Sequence, residues 1–107
     1  MRLMDLAACT GFDWDPGNEL KSQMKHGVTQ AEAEEVFFGS PLVARDSAHS
    51  TAEPRFHALG ETNSGRRLLV VFTARGLLIR VISVRDMSRS ERRVYEKARE
   101  NAPTGPE

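Results

Sequence analysis

The sequence predicts an α+β fold in which two N-terminal helices and one C-terminal helix flank an antiparallel sheet of about four strands. Apolar residues alternate or form short runs at residues 42–45, 55–59, 68–73 and 77–84, between loops rich in Ser, Gly, Asn and Glu. Helix-capping signals precede and follow this block. The chain has 107 residues, which is enough for one domain with a modest core.

The two N-terminal helices are indicated by the residues at their ends. An Asp-Pro pair at the start and a glycine at the end predict a first helix over residues 16–26. Thr29 and Glu32 have the spacing of a capping box, in which each side chain binds the backbone amide of the other residue. We therefore expect a second helix that begins after Thr29 and runs to about Phe38.

The four strands are expected to form a meander. The turn at residues 74–76 is short enough to require antiparallel pairing of the strands on either side. Phe-Asp-Trp-Asp at residues 12–15 is a candidate for a further short strand. If the last strand is regular, its alternation places Arg80 and Arg85 on opposite faces of the sheet.

A second capping box, formed by Ser88 and Glu91, predicts the start of the last helix. Tyr95 and Ala98 are expected to pack inward from this helix with help from Val94. The three-residue spacing between Tyr95 and Ala98 favours a core role for the tyrosine over a catalytic one.

We expect a single domain over residues 12–100, an N-terminal extension at 1–11 and a flexible tail at 101–107, where two prolines and a glycine occur. The N-terminus lacks the pattern of a secretory signal, and no window approaches the roughly eighteen apolar residues of a membrane helix. The one cysteine cannot form an intramolecular disulfide. The sequence therefore predicts a cytoplasmic protein without a membrane partner.

The positive charge of the chain is concentrated in its second half. Ten of the fifteen Lys and Arg residues lie between Arg66 and Arg99, with three acidic residues among them, whereas residues 1–65 hold five basic and ten acidic residues. The formal net charge of zero conceals this asymmetry. Concentrated arginine is typical of a surface that binds phosphate, although solvated basic helices have the same composition.

Several short motifs follow one another along the chain. They are F-D-W-D at 12–15, K-H-G at 25–27 followed by a helix ending in V-F at 36–37, E-P-R-F-H-A-L-G at 53–60, L-L-V-V-F-T-A-R at 68–75, I-R-V-I-S-V-R at 79–85 and E-R-R-V-Y-E at 91–96. In this order they resemble the BrnT family of bacterial type II toxins, over roughly residues 12–96. The sequence departs from the usual pattern at Val84, where Ala is common, and at Asp86.

The resemblance implies a RelE-like fold and a ribonuclease that arrests growth. It also implies a cognate BrnA-like antitoxin of the ribbon-helix-helix type, which forms a hetero-oligomer with the toxin. In that family the complex represses its own operon, so contact with DNA is expected only through the antitoxin.

Three residues are candidates for catalysis: Glu53, Arg55 and Arg85. Metal-free cleavage of RNA needs a general base, cationic donors for the phosphoryl oxygens and an acid for the leaving group. The planar fork of arginine suits the second task. The resemblance matches Glu53 and Arg55 to the family's E-x-R and Arg85 to its S-x-R, which makes the arginines phosphate ligands and Glu53 either the base or the group that orients Arg55.

The candidates for RNA binding are Arg80, Arg89, Arg92, Lys25 and His26. Each has a structural alternative. Arg80 is equally compatible with a salt-bridged sheet residue, Arg89 and Arg92 with a solvated basic face, and His26 with a helix cap. No metal or cofactor is expected, since the three histidines are widely spaced and no Cys pair accompanies them.

The leading hypothesis is a toxin that acts as a metal-independent endoribonuclease. The alternative is a non-catalytic module that binds RNA or its antitoxin and acts in operon regulation; turnover of RNA separates the two. A third hypothesis is a degenerate copy of the toxin that is kept for its partnership in operon regulation. It is motivated by Asp86, whose carboxylate next to Arg85 could neutralise a phosphate ligand and impair catalysis. It predicts that Asp86→Ala raises activity.

Overall fold

The computed structural model describes residues 9, 11–14, 27–46 and 53–101. Within them, five strands and two helices occur in the order β1 (Gly11–Asp13), α1 (Gln30–Phe38), β2 (Leu42–Arg45), β3 (Phe56–Glu61), β4 (Arg67–Arg75), β5 (Leu78–Asp86) and α2 (Arg89–Asn101). This confirms the α+β class. The helix predicted over residues 16–26 lies outside the described residues.

The sheet differs from the predicted one in its number of strands and in its pairing. It has five strands in the order β1-β5-β4-β3-β2. Strands β2 to β5 form the expected antiparallel meander, and the candidate strand near Phe12 is confirmed as β1. Because β1 pairs with β5 in the parallel direction, the sheet is mixed and not purely antiparallel.

A β-bulge in β5 changes the faces of its side chains. Val71 is paired with Ser83, but the next residue of β4, Phe72, is paired with Val81, so Ile82 is the extra residue on β5. The alternation therefore shifts by one position, and Arg80 and Arg85 lie on the same face of the sheet. The regular alternation assumed from the sequence is wrong here, because the bulge is fixed by pairing with β4.

The main core lies between α1 and one face of the sheet. Phe72 is fully buried there and forms an edge contact with Phe37 of α1 and a stacked contact with Phe56 of β3, with ring centroids 4.9 and 5.5 Å apart. The predicted capping box is confirmed, since the Glu32 amide donates to the Thr29 hydroxyl and the Thr29 amide donates to the Glu32 carboxylate. This box fixes the start of α1 over the sheet.

A smaller core lies under α2 on the other face. Tyr95 packs there with Leu59, Leu69 and Met87, which confirms its predicted core role. Val94 was expected to help but is 54% exposed, because it lies on the flank of α2 and not on the line that contacts the sheet. Among the described residues, no helix is long and apolar enough to cross a membrane.

Candidate functional site

Among the residues that the structure describes, α2 covers only part of its side of the sheet, and the part that it leaves uncovered is called the open face here. Pairing places His57, Val71 and Ser83 in one row across β3, β4 and β5, and Arg85 in the next row. The open face comprises Ala44, His57, Val71, Arg80, Ser83 and Arg85. Arg55, whose carbonyl extends the pairing of β2 with β3, joins them by the two-residue alternation with His57. The open face thus unites three of the sequence-predicted residues, Arg55, Arg80 and Arg85.

Arg85 stands at the junction of β5 and α2, where Glu91 holds it. Its two terminal nitrogens each donate to one Glu91 carboxylate oxygen at 2.9 Å. This paired hydrogen bond raises the pKa of Arg85 and lowers the pKa of Glu91. The same carboxylate accepts from the Ser88 amide at 2.8 Å, which confirms the second capping box and ties Arg85 to the helix start.

Asp86 points away from Arg85. Its carboxylate accepts two hydrogen bonds from the guanidinium of Arg66, at 2.8 and 3.0 Å. Because strand neighbours face opposite sides, Asp86 belongs to the α1 side of the sheet, whereas Arg85 belongs to the open face. The contact of Arg85 with this residue is to its backbone carbonyl, at 3.0 Å. The structure therefore gives Asp86 a role in anchoring Arg66.

Arg80 forms the ion pair that was its structural alternative. Its Nη1 donates to Oδ2 of Asp13 at 3.0 Å, and the Arg80 side chain is 22% exposed. Since Asp13 lies on β1, the pair joins the parallel edge strand to β5. Arg80 thus lies on the open face while also binding two strands together.

Glu53 is held at the margin of the open face by an arginine of β4. Arg75 donates to its carboxylate at 3.1 Å, and this hydrogen bond raises the pKa of Arg75. Both side chains are about half exposed, so solvent screens the pair. Arg55 follows Glu53 by two residues and directly precedes β3.

His57 is a candidate functional residue that the sequence analysis did not single out. Its Nε2 lies 3.0 Å from Oδ2 of Asp46, whose side chain is 11% exposed, against 39% for the histidine. The Asp46 amide also donates to the Arg55 carbonyl at 2.8 Å, which extends the pairing of β2 with β3. The two-residue spacing of Arg55 and His57 on a strand could have revealed that they share a face.

A cavity of about 250 Å³ opens between His57 and α2. Its lining comprises Leu42, Ala44, His57, Leu59, Leu69, Ser90, Glu91 and Val94. The exposed position of Val94 is explained by this cavity, which it borders. The cavity joins the histidine to the start of α2, so a ligand on the open face can reach both.

A larger cavity of about 590 Å³ lies across α2, away from His57. Its wall includes Tyr95, Arg99 and Glu61, and Arg99 donates to Glu61 at 2.6 Å. Size alone favours this cavity, but none of its lining residues belongs to the open face. The smaller cavity is lined by His57 of the open face and by Glu91, the partner of Arg85, so we place the candidate site there.

The remaining predicted residues lie elsewhere. Arg89 and Arg92 are exposed on α2, but at about 3.6 residues per turn they occupy the flank opposite Ser90 and Val94. They therefore do not border the open face. Lys25 and His26 lie outside the described residues. In the part of the chain that the structure describes, no three His, Cys, Asp or Glu side chains are grouped so as to hold a metal ion.

A helix-flanked sheet that presents arginines beside a histidine has the chemistry of a site for RNA phosphates. A family model, described as the ribonuclease toxin BrnT of type II toxin-antitoxin systems, matches residues 14–91. The chain belongs to this BrnT family, which acts on RNA and is partnered by a protein antitoxin. The sequence-based resemblance is thereby confirmed.

A solved relative has the same fold. The crystal structure of the Brucella abortus ribonuclease toxin BrnT is 28% identical in sequence and superimposes with a TM-score of 0.58. The match covers 74% of this chain and 97% of that chain. A comparison with curated proteins gives no match.

Proposed function

We propose that the chain is a metal-independent endoribonuclease that cleaves RNA by attack of the substrate's own 2′-hydroxyl, and that this cleavage inhibits translation and growth. Family membership supports ribonuclease activity in general. RNA carries its own nucleophile, so the protein needs only proton transfer and stabilisation of the phosphate charge. The open face offers groups for both tasks.

The observation that carries this proposal is the register of β3, β4 and β5. It puts Arg85 on the same face as His57 and Ser83, the face that Arg55 shares by alternation along β3, and the bulge at Ile82 brings Arg80 to this face as well. Neighbouring strands lie about 4.8 Å apart. The β3 and β5 sides of this surface are therefore about 10 Å apart, a span that one phosphodiester and the arginine side chains can bridge.

Within this proposal Arg55 and Arg85 bind the scissile phosphate through their guanidinium forks. Glu53 accepts a hydrogen bond from Arg75 and so holds the positively charged guanidinium of Arg75 at the margin of the site. Arg80 lies on the same face, where an RNA phosphate would have to compete with Asp13 for its guanidinium. Because Arg89 and Arg92 lie on the other flank of α2, they attract more distant parts of the RNA.

The partner we propose is a BrnA-like antitoxin of the ribbon-helix-helix type, in a cytoplasmic hetero-oligomer. The type II toxin-antitoxin family supports a protein antitoxin in general. DNA contact then runs through the antitoxin, as the sequence resemblance implies. Co-expression with the neighbouring open reading frame tests this: a ribbon-helix-helix protein that co-purifies and restores growth is expected.

Cleavage assays with purified chain and a defined RNA test the activity. We expect products with a 2′,3′-cyclic phosphate and a 5′-hydroxyl, formed equally well in excess EDTA. A single 2′-deoxy substitution at the cleaved position should abolish the reaction, since it removes the nucleophile. A dependence on added divalent metal, or cleavage at the deoxy position, contradicts the proposal.

Arginine variants test the site. Arg55→Ala and Arg85→Lys should lower cleavage strongly, the latter because lysine keeps the charge but lacks the fork. Arg45→Ala is the matched control, because Arg45 is exposed on β2 but pairs with Phe56 and so belongs to the α1 side of the sheet. Equal loss of activity in Arg55→Ala and Arg45→Ala, which each remove one positive charge, indicates a general charge effect and contradicts a localised site. Full activity of Arg85→Lys contradicts the need for a guanidinium at that position.

A non-catalytic binding module is the second candidate, and one observation favours it. Arg80 and Arg85 already have carboxylate partners, as expected for a surface that is held rigid for binding. This candidate predicts salt-sensitive RNA binding without turnover. RNA that remains intact under all conditions, with no slowing of growth on expression, supports it against the enzyme.

A further inference from the structure

We propose that His57 is the general base of the ribonuclease reaction and that Asp46 is its positioning residue. This inference rests on the proposed function, which it deepens by naming the group that accepts the proton of the 2′-hydroxyl. The starting point is the geometry of the pair: Nε2 of His57 lies 3.0 Å from Oδ2 of Asp46.

The pairing defines the proton positions of the imidazole. An ionised carboxylate only accepts hydrogen bonds, so Nε2 must carry the hydrogen in this contact. In the neutral ring the lone pair is then on Nδ1, the nitrogen that acts as base. Within the part of the chain that the structure describes, Nδ1 has no hydrogen-bond partner. The ring is therefore oriented and ready to accept a proton.

Asp46 and His57 differ in solvent exposure, and this difference assigns the supporting role to the aspartate and the reacting role to the histidine. The Asp46 side chain is 11% exposed, so solvent does not compete strongly for its carboxylate, and its backbone amide is fixed by the Arg55 carbonyl. The His57 side chain is 39% exposed and borders the cavity of about 250 Å³. A ribose on the open face can thus approach the imidazole but not the aspartate.

The surroundings of His57 contain both the phosphate ligands and the groups that influence its charge. Arg55 precedes it by two residues, while Arg85 and Glu91 lie towards α2, where Glu91 borders the same cavity. Across β4 the neighbours are the apolar Leu69 and Val71. Glu91 is engaged by Arg85 and by the Ser88 amide, and Glu53, the candidate base from the sequence, is engaged by Arg75. The imidazole is therefore the group best placed to remove a proton.

The bonds and protons of the proposed cleavage step balance. Nδ1 of His57 takes the proton of the 2′-hydroxyl as O2′ attacks phosphorus, forming the P–O2′ bond while the P–O5′ bond breaks. The departing O5′ takes a proton from water. The products are a 2′,3′-cyclic phosphate and a 5′-hydroxyl, and the imidazolium returns its proton to solvent. Arg55 and Arg85 stabilise the charge that develops on the non-bridging oxygens.

The test compares the full-length chain with His57→Gln, His57→Ala and Asp46→Asn on one RNA substrate. Loss of a general base should lower kcat about 100- to 10,000-fold, with little change in KM or thermal midpoint. The wild-type rate should rise with pH on its acidic limb, because the base must be neutral, and this limb should disappear in His57→Gln. Asp46→Asn should show a smaller loss confined to kcat.

Two further measurements separate a base from a structural histidine or an acid. Added imidazole should restore cleavage by His57→Ala, because the adjoining cavity can admit the ring. A substrate with sulfur in place of O5′ has a leaving group that needs no acid, so the His57→Gln defect should persist on it. Absence of imidazole rescue, or a defect that vanishes with the sulfur substrate, overturns the assignment.

The outcomes also distinguish this inference from the proposed function. If the wild-type chain cleaves RNA and Arg55→Ala is impaired while the His57 variants keep the wild-type rate and pH profile, the ribonuclease stands and the histidine base is wrong. If the wild-type chain fails to cleave RNA with or without metal, the proposed function fails and the base assignment fails with it.

Discussion

Replacing Glu91 by glutamine tests how the start of α2 and the open face are linked. Glu91 accepts two hydrogen bonds from Arg85 and one from the Ser88 amide. Glutamine keeps the length of the side chain and one acceptor oxygen, so it can preserve the bond to Ser88. It removes the charge that binds Arg85, and the variant thus separates the ion pair from the helix cap.

The size of the effect follows from the exposure of the pair. Arg85 is 41% exposed and Glu91 25% exposed, so solvent screens much of the attraction, and the ion pair should contribute about 0.5–1 kcal/mol. Glu91→Ala also removes the capping bond and should lose roughly a further 1 kcal/mol. At about 4–8 °C per kcal/mol, the glutamine variant should melt about 4 °C lower.

The pH dependence of the free energy of unfolding tests the ion pair more directly than the melting temperature does. Folding holds the pKa of Glu91 below its ordinary value of 4.5, mainly through the hydrogen bonds from Arg85. The stabilisation is therefore fully present above that pH and is lost as the pH falls through the lowered folded-state value. Urea unfolding of the wild-type chain and Glu91→Gln should show a free-energy difference at pH 7 that shrinks below about pH 4.5.

Two results would refute this reasoning. A free-energy difference that stays constant between pH 7 and pH 3 would show that the charge of Glu91 plays no part. Equal stabilities of Glu91→Gln and Glu91→Ala would show that the capping bond contributes nothing beyond the ion pair. The first result would remove the ion pair as a link between Arg85 and α2, and the second would remove the stabilising role of the helix cap.

Three further predictions concern other parts of the fold. Gly60→Ala should destabilise the protein by about 1–3 kcal/mol in urea unfolding, because its Cβ would lie 2.7 Å from Cγ1 of Val36, and Val36→Ala in the same chain should relieve part of this loss. Phe72→Ala should lower the free energy of unfolding by about 3–5 kcal/mol, since the ring is fully buried; a loss below 1 kcal/mol contradicts the core assignment. Asp86→Ala should leave RNA cleavage unchanged and lose at most about 1 kcal/mol of stability, because the half-exposed carboxylate binds Arg66; a gain in cleavage would instead support the impaired-site hypothesis.

The features that the sequence predicted best are local ones. The capping boxes at Thr29 and Ser88 depend on a three-residue spacing, and both are formed as predicted. The strand bounds at residues 42–45 are also confirmed. Such signals involve neighbours in the chain, so no knowledge of the tertiary structure is needed to find them.

The features that could not be predicted from the sequence depend on strand pairing and side-chain contacts between segments that are distant along the chain. The parallel pairing of β1 with β5 joins residues more than sixty positions apart, and the bulge at Ile82 exists only relative to β4. The contact between His57 and Asp46 joins residues 11 positions apart, and the sequence pattern alone does not distinguish Asp46 from the neighbouring acidic residues. These three non-local features define most of the open face, which explains why its histidine was missed.

The two arginines that the bulge brings to one face differ in how readily they can bind RNA. A phosphate must displace the existing carboxylate partner, and displacement is harder for a buried pair because the released carboxylate loses a partner where water cannot replace it. Arg85 is 41% exposed, whereas Arg80 is 22% exposed and also ties β1 to β5. Exchange of Glu91 for a phosphate at Arg85 should therefore need little free energy, while exchange at Arg80 would weaken the sheet edge. The structure thus favours Arg85 as the phosphate ligand and Arg80 as the brace that holds its strand in place.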